Sequence, residues 1–180
     1  PYQGDIQPII RDGPTLRCLN WPVKRTREDF LSPRPGSKST EEKSRRKKRA
    51  RYEIELVYAK HAGIPTVPIA GDDIDDILAA NLLKLCCYSS VKTDLNNEQK
   101  EAILDSLIAS IATETPPSVT ISRLAIEERC SVIDARIVFH QAIWERKLRI
   151  DLFSPLRINH PAIPEATDVL EHYSAWFNPK

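Results

Sequence analysis

Asp5 and Lys24 are the two residues whose types and spacing could carry out a reaction. Asp5 lies seven residues before Asp12, and Lys24 lies twelve residues after it, so two antiparallel arms around the Asp12-Gly13 turn could bring them together. A carboxylate that binds Mg²⁺ and an ammonium that stabilises charge on a phosphate are the minimum set for metal-assisted hydrolysis of a phosphodiester. An aspartate near a lysine is more often a surface ion pair, and the spacing by itself favours that interpretation.

A run of cations between Lys43 and Arg51 is the second feature of chemical interest. It places seven Lys and Arg among nine residues of a predicted helix, where several must share a face and repel one another. A polyanion such as the phosphate backbone of a nucleic acid would relieve this repulsion and release counterions. The run therefore favours nucleic-acid contact, and a solvated helix face or a localisation signal is the alternative. The candidate DNA contacts within it are Arg45, Arg46, Lys47, Lys48, Arg49 and Arg51.

The remaining candidate groups have simpler explanations than catalysis. The four histidines have no partner at helical i, i+4 spacing, which argues against a zinc site. The acidic stretch from Asp72 to Asp76 fits the N-terminal end of a helix, and Asp72 or Asp73 is expected to cap that helix. The four cysteines lack metal-ligand spacing and are expected to be reduced thiols.

The charge balance of the whole chain conceals a strong asymmetry. The 180 residues carry 26 Lys and Arg against 25 Asp and Glu, for a net charge of +1. The segment from Lys24 to Arg51 contributes +8, and the residues from Tyr52 onward contribute −7, so one basic block stands out on an acidic protein. A hydrophobic fraction of 41% excludes a wholly disordered chain. No apolar run is long enough to cross a membrane, and the length excludes a large multidomain enzyme.

The elements expected to position these residues form an α/β domain over residues 1–90. An Asp-Gly pair between two apolar runs predicts a hairpin, and two prolines and a glycine predict a loop over residues 30–38. A capping box formed by Ser39 and Glu42 predicts the start of the basic helix, with Gly63 as its C-cap. A short strand over residues 64–70 and a leucine-rich helix then complete an order of strand, helix, strand and helix.

A second, α+β domain is expected over residues 98–164, after a polar linker at residues 91–97. Apolar spacing predicts three helices followed by two β segments; the helices span residues 97–111, 120–129 and 132–148, and the β segments span residues 148–152 and 155–158. This order is typical of a winged-helix module, and a C-terminal helix or tail is expected over residues 165–180. The pattern leaves DNA binding and protein docking equally open. The candidate DNA contacts here are Arg123, Arg136, Arg149 and Arg157.

The ordered combination of these features resembles the TnsA-type endonuclease subunit of heteromeric cut-and-paste transposases. The resemblance covers most of residues 4 to about 160. The segments that carry it are Gly4-Asp5-Ile6, Asp12-Gly13-Pro14, Leu19-Asn20-Trp21-Pro22-Val23-Lys24, Glu53-Ile54-Glu55-Leu56-Val57-Tyr58, Ala62-Gly63-Ile64-Pro65, Asp73-Ile74, Asn81-Leu82-Leu83-Lys84-Leu85 and Tyr88-Ser89.

The resemblance implies a restriction-endonuclease-like catalytic domain joined to a winged-helix domain. Subunits of this type nick the 5′ ends of a transposon with Mg²⁺, while a partner transposase cuts and joins the 3′ ends. By position, Asp5 resembles the metal-binding aspartate and Lys24 the catalytic lysine. The implied partners are transposon-end and flanking donor DNA, the partner transposase and an ATPase regulator, in the bacterial cytoplasm near the nucleoid.

Two departures from the family pattern favour a different function. The family has Glu or Gln two residues before the catalytic lysine, where this chain has Pro22, and it uses a further glutamate on an earlier helix. The lack of Met and the early position of Asp5 suggest that the N-terminal part of the nuclease domain is missing. The alternative is a non-catalytic adaptor of a transposition complex that binds DNA or a partner protein.

Overall fold

The computed structural model describes residues 6–31 and 40–179 of the chain. The chain divides into two compact units, one formed by Pro1–Ile74 with Leu170–Lys180 and the other by Asp75–Val169. These are called the first and second units below. Both combine helices with little sheet, and the first unit contains the two small sheets.

The first unit begins with the expected hairpin. Strands β1 (Ile9–Asp12) and β2 (Thr15–Cys18) pair in antiparallel register around a two-residue turn. Gly13 in this turn has a φ of 59°, a left-handed conformation that glycine adopts without steric cost. The hairpin is therefore present where it was predicted, but its two turn residues are Gly13 and Pro14, because Asp12 is the last residue of β1 and pairs with Thr15.

A second sheet in the first unit consists of two parallel strands. Strand β3 (Val23–Lys24) lies beside β4 (Ile69–Ala70), with Lys24 opposite Ala70. The segment predicted as a strand over residues 64–70 is regular only at its end. Pro65 and Pro68 have no N–H to donate, so the earlier part contributes only an isolated bridge and a few backbone hydrogen bonds to the strand segment before Lys24.

A short 3-10 helix (Arg27–Phe30) and the long helix α1 (Thr40–His61) connect β3 to β4. Helix α1 ends as predicted at Gly63, whose φ is 66° and whose N–H donates to the Lys60 carbonyl at 3.2 Å. Ser39 of the predicted capping box lies outside the described residues.

The acidic stretch after β4 does not cap the next helix as predicted. Gly71–Asp73 forms a 3-10 turn, and α2 (Asp76–Ser89) is capped by Asp75, whose carboxylate accepts from the Leu78 N–H at 2.9 Å. The expectation that Asp72 or Asp73 is the cap was wrong, because both carboxylates bind Arg27 instead.

Helix α2 belongs to the second unit, although the expected boundary followed it. Its buried Leu78 and Leu85 lie on the face that packs against α5, and its buried Asn81 binds the Leu152 and Ser154 carbonyls at 2.9 and 2.8 Å. The two units therefore divide between Ile74 and Asp75, ahead of the predicted linker at residues 91–97.

The three predicted helices of the second unit are present with shifted ends. They are α3 (Asn97–Ala112), α4 (Pro117–Glu127) and α5 (Val132–Trp144), and they pack around a core that includes Ile103, Leu107, Leu124, Phe139 and Ile143. Helix α4 begins earlier than predicted because Pro117 occupies its first turn, where no N–H is needed. Helix α5 ends before residue 148 because Arg146 adopts a left-handed φ of 62°.

The predicted ribbon of residues 148–152 and 155–158 is not formed in the described chain. Ile150 instead pairs in antiparallel fashion with Pro164, and the Asp151 N–H donates to the Ile163 carbonyl at 2.8 Å. The second predicted segment is held elsewhere, since the Asn81 amide oxygen accepts from the Leu156 N–H at 3.1 Å. In the described residues, the region predicted as a wing therefore contains a single isolated bridge around a long loop.

Two short helices, α6 (Val169–His172) and α7 (Ser174–Phe177), lie in the expected C-terminal segment. The Trp21 indole N–H donates to the Trp176 carbonyl at 3.1 Å, and its ring packs edge-on against Phe177. These contacts hold the C-terminal residues against the first unit. Over the described residues, every helix is too short or too polar to span a lipid bilayer.

Candidate phosphodiester and nucleic-acid site

Lys24 lies at the carboxyl end of the parallel pair β3 and β4. Functional side chains of α/β proteins gather at this end, because the loops that leave the strands meet there. Lys24 is half-buried and is the last residue of β3. The loop after it and the acidic turn after Ala70 leave the sheet side by side. Lys24, the one predicted catalytic residue that the structure describes, therefore lies at the end of the sheet where functional side chains of α/β proteins are usually found.

Asp5, the predicted partner of Lys24, lies outside the described residues. The described chain begins at Ile6, which forms an antiparallel bridge with Trp21 through hydrogen bonds of 3.0 and 2.8 Å. Trp21 precedes Lys24 by three residues. The hairpin register on which the Asp5–Lys24 prediction rests is therefore present up to Ile6, and the pairing itself stays a prediction.

Arg27 is clamped by the acidic turn. Its backbone N–H donates to the two Asp72 carboxylate oxygens at 3.1 and 3.2 Å, and its guanidinium donates to Asp73 at 2.5 Å. The hydrogen bond that Arg27 donates to Asp73 raises the pKa of Arg27, so this arginine remains charged. The clamp fixes the 3-10 helix that immediately follows Lys24.

Gly71 permits the close approach of these two turns. A Cβ at this position would lie 2.8 Å from the Arg25 carbonyl oxygen, a backbone atom that cannot move independently. Any larger residue would push apart the chain segments that leave β3 and β4. The acidic turn and the segment after Lys24 are therefore in close backbone contact at Gly71 and Arg25.

The described residues do not by themselves fit a magnesium site. Among them, no group of three or more metal-binding side chains comes together. Asp72 and Asp73 are the carboxylates nearest in the chain to the end of β4, and both are engaged by Arg27. Pro22, two residues before Lys24, is fully buried and has no side-chain ligand to offer. Metal binding at this edge would depend on Asp5.

Arg49 on α1, the basic helix, contacts the 3-10 helix Arg27–Phe30 and stabilises its position. Its guanidinium donates to the Phe30 carbonyl and to Glu53, the latter at 2.9 Å, and lies 5.3 Å from the centre of the Tyr52 ring. Tyr52 in turn packs edge-on against Phe30 at 5.0 Å. Arg49 thereby joins α1 to the segment that follows Lys24, a role beyond the predicted DNA contact.

The other cations of the run differ in what they touch. Lys48 lies 3.7 Å from Asp29, and Arg51 lies 3.9 Å from Glu55. These are long, partly exposed ion pairs of small energetic value. Arg46 and Lys47 are exposed on the outward face, as is Lys43, while the side chain of Arg45 lies outside the described part. The outward face of α1 is therefore the part of the run most accessible to a phosphate backbone.

One predicted DNA contact of the second unit, Arg149, binds acidic residues together with the neighbouring Arg146. Arg149 contacts Glu165 at 2.7 Å and Asp168 at 2.6 Å, and Arg146 contacts the same two acids at 2.5 and 2.7 Å. The hydrogen bond that Arg149 donates to Glu165 raises the pKa of Arg149. This four-charge network connects residues 146–149 to residues 165–168 and neutralises the positive charge of the two arginines.

The remaining predicted contacts of the second unit lie on a mixed surface. Arg123 pairs with Glu127 at 2.8 Å, whereas Arg136 and Arg157 are exposed. The helix ends on either side of the turn between α4 and α5 expose two isoleucines, Ile126 on α4 and Ile133 on α5. A surface that reads DNA is rich in positive charge, so this mixture favours protein docking on α5, which was the other prediction for this domain.

Sequence reasoning missed the clamp on Arg27 and the anchoring role of Arg49. A signal for the first was present in the glycine and two aspartates directly after β4, which were read as a helix cap. The second required the tertiary contact with Phe30, which no local pattern encodes.

Comparison with protein-family models finds no family that matches this chain, and comparison with curated proteins finds no matching relative. The similarity to TnsA-type endonucleases therefore rests on the motifs and their order alone.

Proposed function

We propose that this chain is the Mg²⁺-dependent DNA endonuclease subunit of a cut-and-paste transposase, which nicks the 5′ ends of the transposon. The observation that carries the proposal is the position of Lys24 at the carboxyl end of β3, beside β4. The hairpin register up to the Ile6–Trp21 bridge supports it, because the predicted pairing of Asp5 with Lys24 requires two antiparallel arms of this kind. The ordered motifs of the resemblance give the reaction its class.

Lys24 is assigned the role of binding the scissile phosphate. Its ammonium would stabilise the negative charge that develops on the phosphate oxygens as water attacks phosphorus. Arg27, Asp72 and Asp73 do not react in this proposal; they hold the segment after Lys24 in place. The proposed Mg²⁺ would be bound by Asp5 and would supply Lewis acidity. The described residues provide no further ligand set for it.

The distribution of charge between the two units supports DNA binding by the first. That unit has 16 Lys and Arg against 11 Asp and Glu, whereas the second has 10 against 14. The net charges are +5 and −4, so the electrostatic field of the molecule attracts a polyanion to the unit that contains Lys24. Arg46 and Lys47 on α1 are the exposed cations assigned to the phosphate backbone.

The partners and the location follow from the same proposal. Transposon ends and flanking donor DNA would contact the first unit, and the partner transposase and an ATPase regulator would dock on protein surfaces such as the turn between α4 and α5. The protein would act in the bacterial cytoplasm, associated with the nucleoid.

A nicking assay with the full chain, its partner transposase and end-labelled transposon DNA tests the proposal. We expect Lys24→Ala to reduce 5′ cleavage by about 10²- to 10³-fold, the cost of losing one electrostatic group in a transition state. Lys60→Ala is the matched control, because it removes an exposed lysine from the same unit. Cleavage that is unchanged by Lys24→Ala would overturn the catalytic assignment.

A non-catalytic adaptor is the second candidate function. It is favoured by the buried Pro22 before Lys24 and by the binding of Asp72 and Asp73 to Arg27. An adaptor would bind DNA through α1 and assemble with the transposase, but 5′ ends would stay intact with wild-type protein in Mg²⁺. The nicking assay, run beside a DNA-binding measurement, separates the two candidates.

A further inference from the structure

The outward face of α1 changes from cationic to apolar along its length. Arg46 and Lys47 are exposed on its first half. Ile54, Val57 and Tyr58 then follow at helical spacing, and they are 70%, 58% and 72% exposed. Three large apolar side chains together on one face are more than the scattered exposure that is normal for a protein surface.

A cavity of about 230 Å³ opens beside these residues. Ile54, Tyr58, Ala59 and Ile64 contribute its apolar lining. Ala59 is buried at the base of the helix, and Ile64 follows the Gly63 cap. Gln7, Asn20 and Glu55 supply its polar lining. A half-open, mainly apolar cavity next to an exposed apolar ridge can accept one large side chain from another molecule whose neighbouring side chains cover the ridge.

The positive charge of this face lies on its first half. Lys47 lies about two turns before Ile54, and no acidic residue lies between Lys43 and Arg51. The acids that follow are each near an arginine one turn earlier, since Glu53 lies 2.9 Å from Arg49 and Glu55 lies 3.9 Å from Arg51. An occupant that matches this face must present apolar anchors together with carboxylates.

We propose that the second half of the α1 face is a docking site for an acidic protein segment with apolar anchor residues. One anchor fills the cavity, the others cover Ile54 and Tyr58, and the carboxylates of the segment face Lys47. A DNA backbone complements the cations but would leave the apolar ridge uncovered, so nucleic acid accounts for only the first half of the helix. This inference does not depend on nuclease activity.

Fluorescence anisotropy with two labelled peptides tests the docking site on the full chain. The first peptide is a short amphipathic helix with leucines on one face and glutamates elsewhere, and the second has lysine in place of each glutamate. We expect the acidic peptide to bind and the basic peptide not to bind. The double variant Ile54→Ser, Tyr58→Ser should weaken binding by at least about tenfold, which corresponds to about 1.4 kcal/mol.

Leu83→Ser is the matched control, because Leu83 is 69% exposed but lies on α2 in the second unit. Lys47→Glu should reverse the preference between the two peptides. Equal binding of both peptides, or binding unaffected by the double variant, would overturn the proposal. Circular dichroism of the double variant confirms that it folds, which is expected because both residues are on the surface.

Two other occupants are distinguished by parallel measurements. A dimer in sedimentation velocity that the double variant dissociates would assign the face to a second copy of this chain, against the proposal. The face would be assigned to DNA if the double variant lost as much affinity for duplex DNA as Lys47→Ala does and the acidic peptide did not compete with the DNA. That result would also overturn the proposal.

Discussion

Replacing Gly71 by alanine tests whether the turns that leave β3 and β4 depend on their close contact. Gly71 has an ordinary backbone conformation, so alanine is not excluded by φ. Its Cβ would nevertheless lie 2.8 Å from the Arg25 carbonyl oxygen, and the backbone must shift to make room. Overpacking of this kind costs about 1–3 kcal/mol.

The expected net effect is smaller than the contact cost alone. Alanine restricts the unfolded chain more than glycine does, which stabilises the protein by about 0.4–1 kcal/mol where the native conformation is compatible. We therefore expect Gly71→Ala to lower the free energy of unfolding of the first unit by about 1–2 kcal/mol. The displaced segment carries Arg27 and follows Lys24 directly, so 5′ nicking should fall as well.

Urea unfolding followed by tryptophan fluorescence measures this effect in a Trp144→Phe background. Trp21 and Trp176 then report on the first unit, because Trp144 is the tryptophan of the second unit. Gly63→Ala is the control: its φ of 66° makes alanine strained, but a Cβ there meets no atom within 4 Å. It should lower stability while nicking by the folded protein is unaffected. An unchanged or raised unfolding midpoint in Gly71→Ala would refute the reasoning.

Two further predictions concern charge. His140 is 1% exposed, stacks on Tyr88 and donates its Nδ1–H to the Arg136 carbonyl at 2.7 Å, and burial lowers its pKa. Its neutral form therefore stabilises the fold fully above the unfolded-state pKa near 6.5, and this contribution falls as the pH drops below it. Urea titrations from pH 7.5 to 5 should show a loss in the free energy of unfolding, and His140→Phe should make that loss smaller. An equal dependence of the unfolding free energy on pH in both proteins would contradict this prediction. In DNA binding, Lys47→Ala should reduce the slope of the logarithm of the binding constant against the logarithm of the salt concentration by about 0.9. Arg149→Ala should leave this slope unchanged, because the charge of Arg149 is balanced by acids. A lower slope for Arg149→Ala would show that Arg149 contacts the phosphate backbone.

The local elements of this protein were predictable because short-range physics specifies them. The turn of the β1–β2 hairpin contains Gly13, which adopts a left-handed φ without steric cost. Gly63 ends α1 because it also adopts a left-handed φ. The apolar spacing of α3, α4 and α5 also identified three helices in order. Their ends shifted by a few residues where Pro117 and Arg146 changed the backbone locally.

The partners of polar and charged residues were not predictable in the same way. Asp72 and Asp73 are of the residue type that commonly caps a helix, but both carboxylates bind Arg27, which lies far away in the chain. Arg149 is of the residue type that commonly contacts DNA, but Glu165 and Asp168 neutralise its positive charge. A carboxylate or guanidinium binds whichever opposite charge the fold brings nearest, and sequence spacing does not contain that distance.

The sequence by itself determined where the chain turns, which segments are helical, and that its positive charge is concentrated before Tyr52, because turn geometry, helical periodicity and charge are properties of neighbouring residues. Only the tertiary structure decided that Lys24 ends a parallel pair, that Arg49 anchors α1 to Phe30, and that α2 packs with the second unit. Those outcomes depend on contacts between residues distant in the chain, whose energies compete across the whole fold.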